Sequence, residues 1–440
     1  MAATRTTARR TARRTTLLAT AAAVATAVPV LSAQPSSGVE LPKVASVRTA
    51  SVTPAYTPTK ADLRIAKKLA SRVTTTAFGR GFSGTVIDAA SGKAVWARYG
   101  GTGRMPASTT KLVTATNALA VFGPDHRFTT TVKLGTSWRS LLLVGAGDPS
   151  LSSADLSALA KQTVAAVKAH GVTSVRLYAD DSLFPAPSLA HGWKSSYVPT
   201  DVRWVRALVV DGHHATDTSM DAAKVFAAKL AARGVTVVST GRSKAKAGAP
   251  LVASVQGDRL DAIVQQMMLV SDNDHAEALH RLVAHALGYR TTWLGARTAQ
   301  RVELARQAHL TIADGALYDG SGLSRSDRLT STQLARLLRR VVDPRRADLA
   351  VLRTGGLPLA GRTGTLATRF GRFSTAPSKC AAGVLTAKTG TLRDAVALAG
   401  WTVGTDGRVK TFDFEVNGKA ATTALKRGVD ALAATVRGCY

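Results

Sequence analysis

Acidic residues are scarce in this chain of 440: 28 Asp and Glu stand against 58 Lys and Arg, a formal net charge of +30. That excess biases the chain toward anionic partners such as nucleic acid, an anionic polymer or a membrane surface. Aromatic residues are only 5%, and they are not interleaved with basic residues in a recognisable nucleic-acid module, so nucleic acid drops out. There are two cysteines, Cys380 and Cys439, with no C-x-x-C and no H-E-x-x-H. The sequence therefore offers no recognisable metal site and calls for no cofactor. Beyond residue 33 no apolar run is long enough to span a membrane, and no internal repeat is evident.

What is present begins with an address. Met1 to Arg14 carries Arg5, Arg9, Arg10, Arg13 and Arg14 without an acid, and Thr15 to Ala33 is an Ala, Val, Leu and Thr run. This is the layout of a signal peptide over residues 1–33, cut after Ala27 or Ala33. Arg13-Arg14 also fits a twin-arginine export signal. The signal carries only a small part of the positive charge, so the exported domain itself is basic and faces extracytoplasmic, anionic cell-wall polymers. Export also permits a Cys380–Cys439 disulfide, which closes a long loop and stabilises by about 4 kcal/mol in the chain-entropy picture.

Hydrophobic residues at 45% and this length suit two or three compact units. Residues 34–60, with Pro35, Pro42, Pro54 and Pro58 among Ser and Thr, read as a flexible linker. Asp62 is expected to cap a first helix, and a β-hairpin follows over Ser83–Asp88 and Lys93–Tyr99. Residues 125–254 alternate strands with helices at Ala154–Ala169 and Asp221–Arg233, an accessory α/β unit of its own. A helical stretch from Asp258 to His309 then precedes strands near Val384, Ala395 and Lys410 and a last helix near Ala421–Val436. One α/β (α+β) domain, residues 61–124 and 255–440, is thus interrupted by an inserted domain, residues 125–254.

The chemistry sits in three short motifs. Ser108-Thr109-Thr110-Lys111 opens an apolar helix, and residues three apart share a helix face, so the Lys111 amine can approach the Ser108 hydroxyl. For that amine to act as a base its pKa must fall from about 10.4 to about 7 or 8, through burial and a neighbouring cation. Lys388-Thr389-Gly390-Thr391, between two strand-like segments, is expected to supply that cation, with Gly390 letting a substrate lie close to the strand. Arg362-Thr363-Gly364-Thr365 is a near copy, but Lys388 has the better strand context. Ser271-Asp272-Asn273 follows the apolar Ile263–Val270 and offers polar side chains to a cleft.

Each motif alone is weak, yet S-x-x-K, S-D-N and K-T-G in this order form the signature of serine β-lactamases and penicillin-binding proteins. Together with Gly145-Ala146-Gly147-Asp148-Pro149 and Asp319-Gly320-Ser321-Gly322-Leu323-Ser324-Arg325, they make the chain from about residue 60 onward resemble the low-molecular-mass penicillin-binding proteins of the D-alanyl-D-alanine carboxypeptidase/endopeptidase family. The resemblance implies a β-lactamase/transpeptidase-like domain, a central antiparallel sheet flanked by helices. It implies peptidoglycan stem peptides as substrates and β-lactam antibiotics as inhibitors. Carried over residue by residue, Ser108 is the nucleophile, Lys111 the general base and Ser271 a proton relay. Asn273 would bind the substrate amide, and Lys388, Thr389, Gly390 and Thr391 would receive the terminal carboxylate. The backbone N–H groups of Ser108 and Thr391 would form the oxyanion hole. Asp319 to Ser324 reads as a structural turn beside the cleft. The insert falls where this family carries its extra domain, between motifs 163 positions apart.

Two rivals share parts of this pattern. A serine β-lactamase must also deacylate quickly, and no E-x-x-L-N segment follows Ser271-Asp272-Asn273. A non-catalytic wall-binding protein would have no need of intact Ser108, Lys111 and Lys388.

Overall fold

The computed structural model describes residues 56–440. The expected signal peptide and residues 34–55 of the expected linker lie outside that range. The last linker residues are already packed: the Tyr56 hydroxyl donates to Asp62 at 2.8 Å, and helix α1 spans Lys60–Arg72. Its cap is Thr59, not Asp62. Asp62 is the third helical residue and completes a capping box by accepting from the Thr59 N–H, because a carboxylate at that place can reach back to the orphan donor.

The chain continues through a short α2 (Thr75–Phe78), the hairpin β1 (Phe82–Asp88) and β2 (Ala94–Arg98), a 3-10 turn at Ala107–Thr110, and α3 (Lys111–Phe122). Next come β3 (Arg127–Leu134), β4 (Ser140–Val144), α4 (Ser153–Ala169), β5 (Ser174–Asp180), α5 (Thr218–Ala231), β6 (Thr236–Arg242) and β7 (Leu251–Arg259). The helices α6 (Leu260–Val270), α7 (Asn273–Ala286), α8 (Trp293–Ala308), α9 (Ser331–Val341) and α10 (Ala350–Arg353) precede β8 (Leu385–Leu392), β9 (Ala395–Val403), β10 (Val409–Asn417) and α11 (Thr423–Arg437).

Among the described residues two five-stranded sheets result. The first, in order β2-β1-β10-β9-β8, is antiparallel throughout. Strands from both ends of the chain meet in it, with β1 paired to β10 from Phe82 against Val416 to Asp88 against Lys410. One face buries Val86, Phe412, Phe414 and Leu398 against Ile65 and Leu69 of α1 and Val429 and Leu432 of α11. Burying such a side chain contributes roughly 1.5–3 kcal/mol. The other face lies toward the helical layer of α3 and α6 to α9. This is the β-lactamase/transpeptidase-like arrangement. A disulfide joins Cys380 to Cys439, with Cα atoms 6.2 Å apart, and ties the end of α11 to the segment before β8.

The second sheet, β6-β5-β4-β3-β7, is mixed: β4, β5 and β6 are parallel, while β3 is antiparallel to β4 and β7. Helices α4 and α5 cover one face through Leu141, Leu143, Leu177, Leu159 and Phe226. The expected boundary at 254/255 falls inside β7, which stays paired to β3 as far as Arg259; the ladder, not the composition, sets where this sheet ends. The insert is also less separate than its sequence pattern implies. Ala190, Trp193 and Val202 pack with Met105, Ala107, Leu323, Leu392 and Ala395, and Arg203 is ion-paired to Asp274 at 2.9 Å.

Candidate active site

Two backbone kinks aim the motif side chains. Ala107, the residue before Ser108, has φ 48°, and Ser271, which ends α6, has φ 64°. Left-handed backbone is costly for residues with a Cβ and persists where surrounding structure enforces it. At Ala107 two glycines admit the enforcing contacts. A Cβ on Gly390 would stand 2.5 Å from the Pro106 carbonyl oxygen, and one on Gly322 would stand 1.9 Å from that of Ala107. Gly390, expected to let substrate lie close to the strand, makes room for the turn that carries Ser108, which is wedged between β8 and the Asp319–Ser324 turn.

Lys111 is wholly buried. Its Nζ lies 3.0 Å from Ser108 Oγ, 2.7 Å from Asn273 Oδ1 and 2.9 Å from the Ser321 carbonyl oxygen. A neutral amine has two N–H groups and one lone pair. Asn273 Oδ1 and the Ser321 carbonyl can only accept, so they take the two N–H groups and leave the lone pair for the Ser108 hydroxyl proton. Burial holds the amine at about 8, against the opposing pull of Glu277, Asp319, Asp272 and Asp274. Burial and a second cation were the expected causes; burial is the one that acts, and the charges that bear on the amine are acids that oppose it.

Lys388, also wholly buried, donates to Ser271 Oγ and to the Thr389 carbonyl, both at 2.8 Å. Burial, and then the neighbouring Lys111, keep its amine well below the ordinary lysine range. The three motifs therefore converge as two amine–hydroxyl pairs, Lys111 with Ser108 and Lys388 with Ser271. Thr389 is buried and shares a 2.8 Å hydrogen bond with Thr365, whereas Thr391 is exposed on the same strand. The near copy at Arg362 leaves its arginine in an exposed turn, but its Thr365 lines the cleft with Ser108, Ser271, Thr389 and Thr391.

Asn273, expected to bind substrate, already has both ends of its amide engaged: Oδ1 with Lys111, and Nδ2 donating to the Asp201 carbonyl of the insert at 2.7 Å. Asp272 caps α7 by accepting from the His275 N–H at 2.9 Å. The Asp319–Ser324 turn is structural and more. Asp319 accepts from the N–H groups of Gly322 and Ser324 and from Trp193 Nε1, and this holds the Ser321 carbonyl on Lys111. Glu277, not anticipated from sequence, braces the same turn by accepting from the N–H groups of Gly320 and Ser321. Burial, with Asp319 adding to it, pushes the Glu277 carboxyl up to about 8.

The family described as D-Ala-D-Ala carboxypeptidase 3 (S13) matches residues 65–213 and 206–437. The chain is 32% identical over 383 residues to carboxypeptidase DacB of Mycolicibacterium smegmatis, covering 81% of this chain and 80% of that protein. It is 29% identical over 435 residues to a D-alanyl-D-alanine carboxypeptidase of an Actinomadura species, covering 77% and 78%. Among solved structures, penicillin binding protein 4 (dacB) from Haemophilus influenzae shares the fold with a TM-score of 0.70 at 18% identity, over 82% of this chain and 98% of that one. The chain belongs to the D-Ala-D-Ala carboxypeptidase 3 (S13) family, whose members are low-molecular-mass penicillin-binding proteins.

Proposed function

We propose that this serine-type D-Ala-D-Ala carboxypeptidase/endopeptidase cleaves peptidoglycan stem peptides through an acyl-enzyme on Ser108. The observation that carries the reading is the buried Lys111 amine, held at about 8 with two fixed acceptors for its N–H groups and Ser108 at 3.0 Å. The Lys111 lone pair takes the Ser108 proton as Oγ attacks the penultimate D-Ala carbonyl carbon. The resulting oxyanion is held by the N–H groups of Ser108 and Thr391, a contribution of about 3 kcal/mol per donor in comparable acyl transfer. As the C–N bond breaks, Ser271 passes a proton to the departing D-Ala nitrogen, with Lys388 behind it at 2.8 Å. Thr389 and Thr391 hold the terminal carboxylate, and Gly390 keeps their strand against the Ser108 turn. Water, or an amine of another stem peptide, then attacks the ester and frees Ser108.

The substrate places the enzyme outside the cytoplasm. The net charge of +30 supports contact with anionic wall polymers, and among the described residues no helix is long and apolar enough to cross a membrane. The test is the intact mass of the protein after addition of benzylpenicillin, with Ser108→Ala as control. A lasting adduct on Ser108, followed by D-Ala release from stem peptides, is expected. An adduct that vanishes within seconds would turn the reading into a β-lactamase, and no adduct at all would refute the nucleophile.

A further inference from the structure

The proposed substrate ends in a carboxylate, yet most cations near the cleft are spent. Besides the motif residues, the cavity of about 240 Å³ beside Ser108 is lined by Thr365, Phe370, Arg372 and Lys426. Lys111 has its N–H groups on Asn273 and Ser321. Lys388 is turned onto Ser271 and the Thr389 carbonyl, and its burial disfavours a charge there. Arg372 holds Asp430 through two bonds of 2.8 and 2.5 Å in a buried pair, so its charge is cancelled and its fork is occupied.

Lys426 differs from all three. It is half-buried, and among the described residues its side chain has neither an acid nor a hydrogen-bond acceptor as partner. It is the fourth residue of α11 (Thr423–Arg437), where the helix dipole adds positive potential instead of cancelling it. Among the described residues it is the one uncommitted ammonium in the lining, and it faces the same cavity as Thr389 and Thr391.

We infer that Lys426 is the specificity-determining cation for the substrate's free C-terminal carboxylate, with the Thr389 and Thr391 hydroxyls as its neutral hydrogen-bond donors. This rests on the serine-peptidase reading above and deepens it. A cation in a narrow cleft, partly shielded from water, discriminates a carboxylate from a neutral end far better than one on an open surface.

The experiment compares two peptides that differ only at the C-terminus, one ending in D-Ala-D-Ala as the free acid and the other as the carboxamide. It uses the mature protein, Lys426→Met, Lys426→Arg and Ser108→Ala. Lys426→Met is expected to lower the acid-to-amide ratio of kcat/KM by roughly tenfold, mostly through KM, and Lys426→Arg to restore most of it. Added salt should narrow the ratio for the native protein and leave it unmoved in Lys426→Met. A native ratio retained in Lys426→Met, or equal losses on both peptides, overturns the assignment while the serine reading stands. Turnover that survives in Ser108→Ala overturns both.

Discussion

Replacing Asn273 with Asp would put a carboxylate where the amide carbonyl now stands, 2.7 Å from the Lys111 amine. Burial holds that amine at about 8, so about one tenth of it is in the free-base form at pH 7. An opposite charge at this distance raises an amine by about one to three units. The free-base fraction at pH 7 then falls to between about one hundredth and one ten-thousandth, and acylation slows by the same ten- to thousandfold. The sign follows from which form reacts: only the neutral amine can take the Ser108 proton, so the rate climbs with pH and levels off above the pKa. The assay is the acylation rate with a chromogenic β-lactam across the pH range in which the fold persists. The native protein should level off near pH 8, and Asn273→Asp should show the same slope displaced to higher pH, recovering in alkali. Asn273→Ala, which adds no charge, should lose plateau height without that displacement. An Asn273→Asp profile that levels off where the native one does would refute Lys111 as the base.

Three further outcomes follow. Lys410 is wholly buried among Asp62 at 2.6 Å, Asp88 at 3.0 Å and Asp406 at 3.1 Å, so Lys410→Met should cost about 3–5 kcal/mol in urea unfolding at neutral pH. Asp62, Asp88 and Asp406 are held below the usual carboxylate range. Their contribution is therefore fully present above that range and is lost as pH falls below it through their lowered folded values, and the Lys410→Met deficit should shrink in acid; a deficit unchanged by pH would contradict this. Gly390→Ala should lower acylation by roughly a hundredfold with the protein still folded, since the added methyl meets the Pro106 carbonyl at 2.5 Å and displaces the Ser108 turn; near-native acylation would show that no such wedge acts. Reducing Cys380–Cys439 should lower stability by about 4 kcal/mol, read from denaturant midpoints with and without reductant.

The sequence carries the site where its chemistry is local and loses it where partners arrive from afar. Ser108 and Lys111 share a helical turn, so their approach can be read directly from spacing. The hairpin β1–β2 and the strands β8, β9 and β10 are legible from alternation and turn residues, but the insertion of β10 between β1 and β9 is a matter of register. Glu277 reads as one more helical residue until Gly320 and Ser321 fold back on it. Thr365, Arg372 and Lys426 reach the cleft from three separate segments; Thr365 belongs to the near copy of K-T-G, and no short motif marks the other two. Gly390 is conspicuous in sequence, yet its purpose depends on which backbone lies against it. The low pKa of Lys111 and the part of burial in it were anticipated, but the acids that oppose it were not, because Glu277 and Asp319 reach the amine only in the folded chain.

The Asp201 carbonyl has a consequence for the reach of the inserted domain. An Asn side chain is nearly symmetric in shape, and rotating its amide by half a turn exchanges oxygen for NH2. A backbone carbonyl can only accept, so Asp201 selects the orientation in which NH2 faces the insert and oxygen faces Lys111. With that carbonyl gone, the reversed amide would set N–H groups against the N–H groups of Lys111 and turn its lone pair away from Ser108. The insert thus reads out the polarity of a single side chain at the base. A protein trimmed to its first sheet and flanking helices would keep every motif residue and lose the instruction that tells Asn273 which way to face.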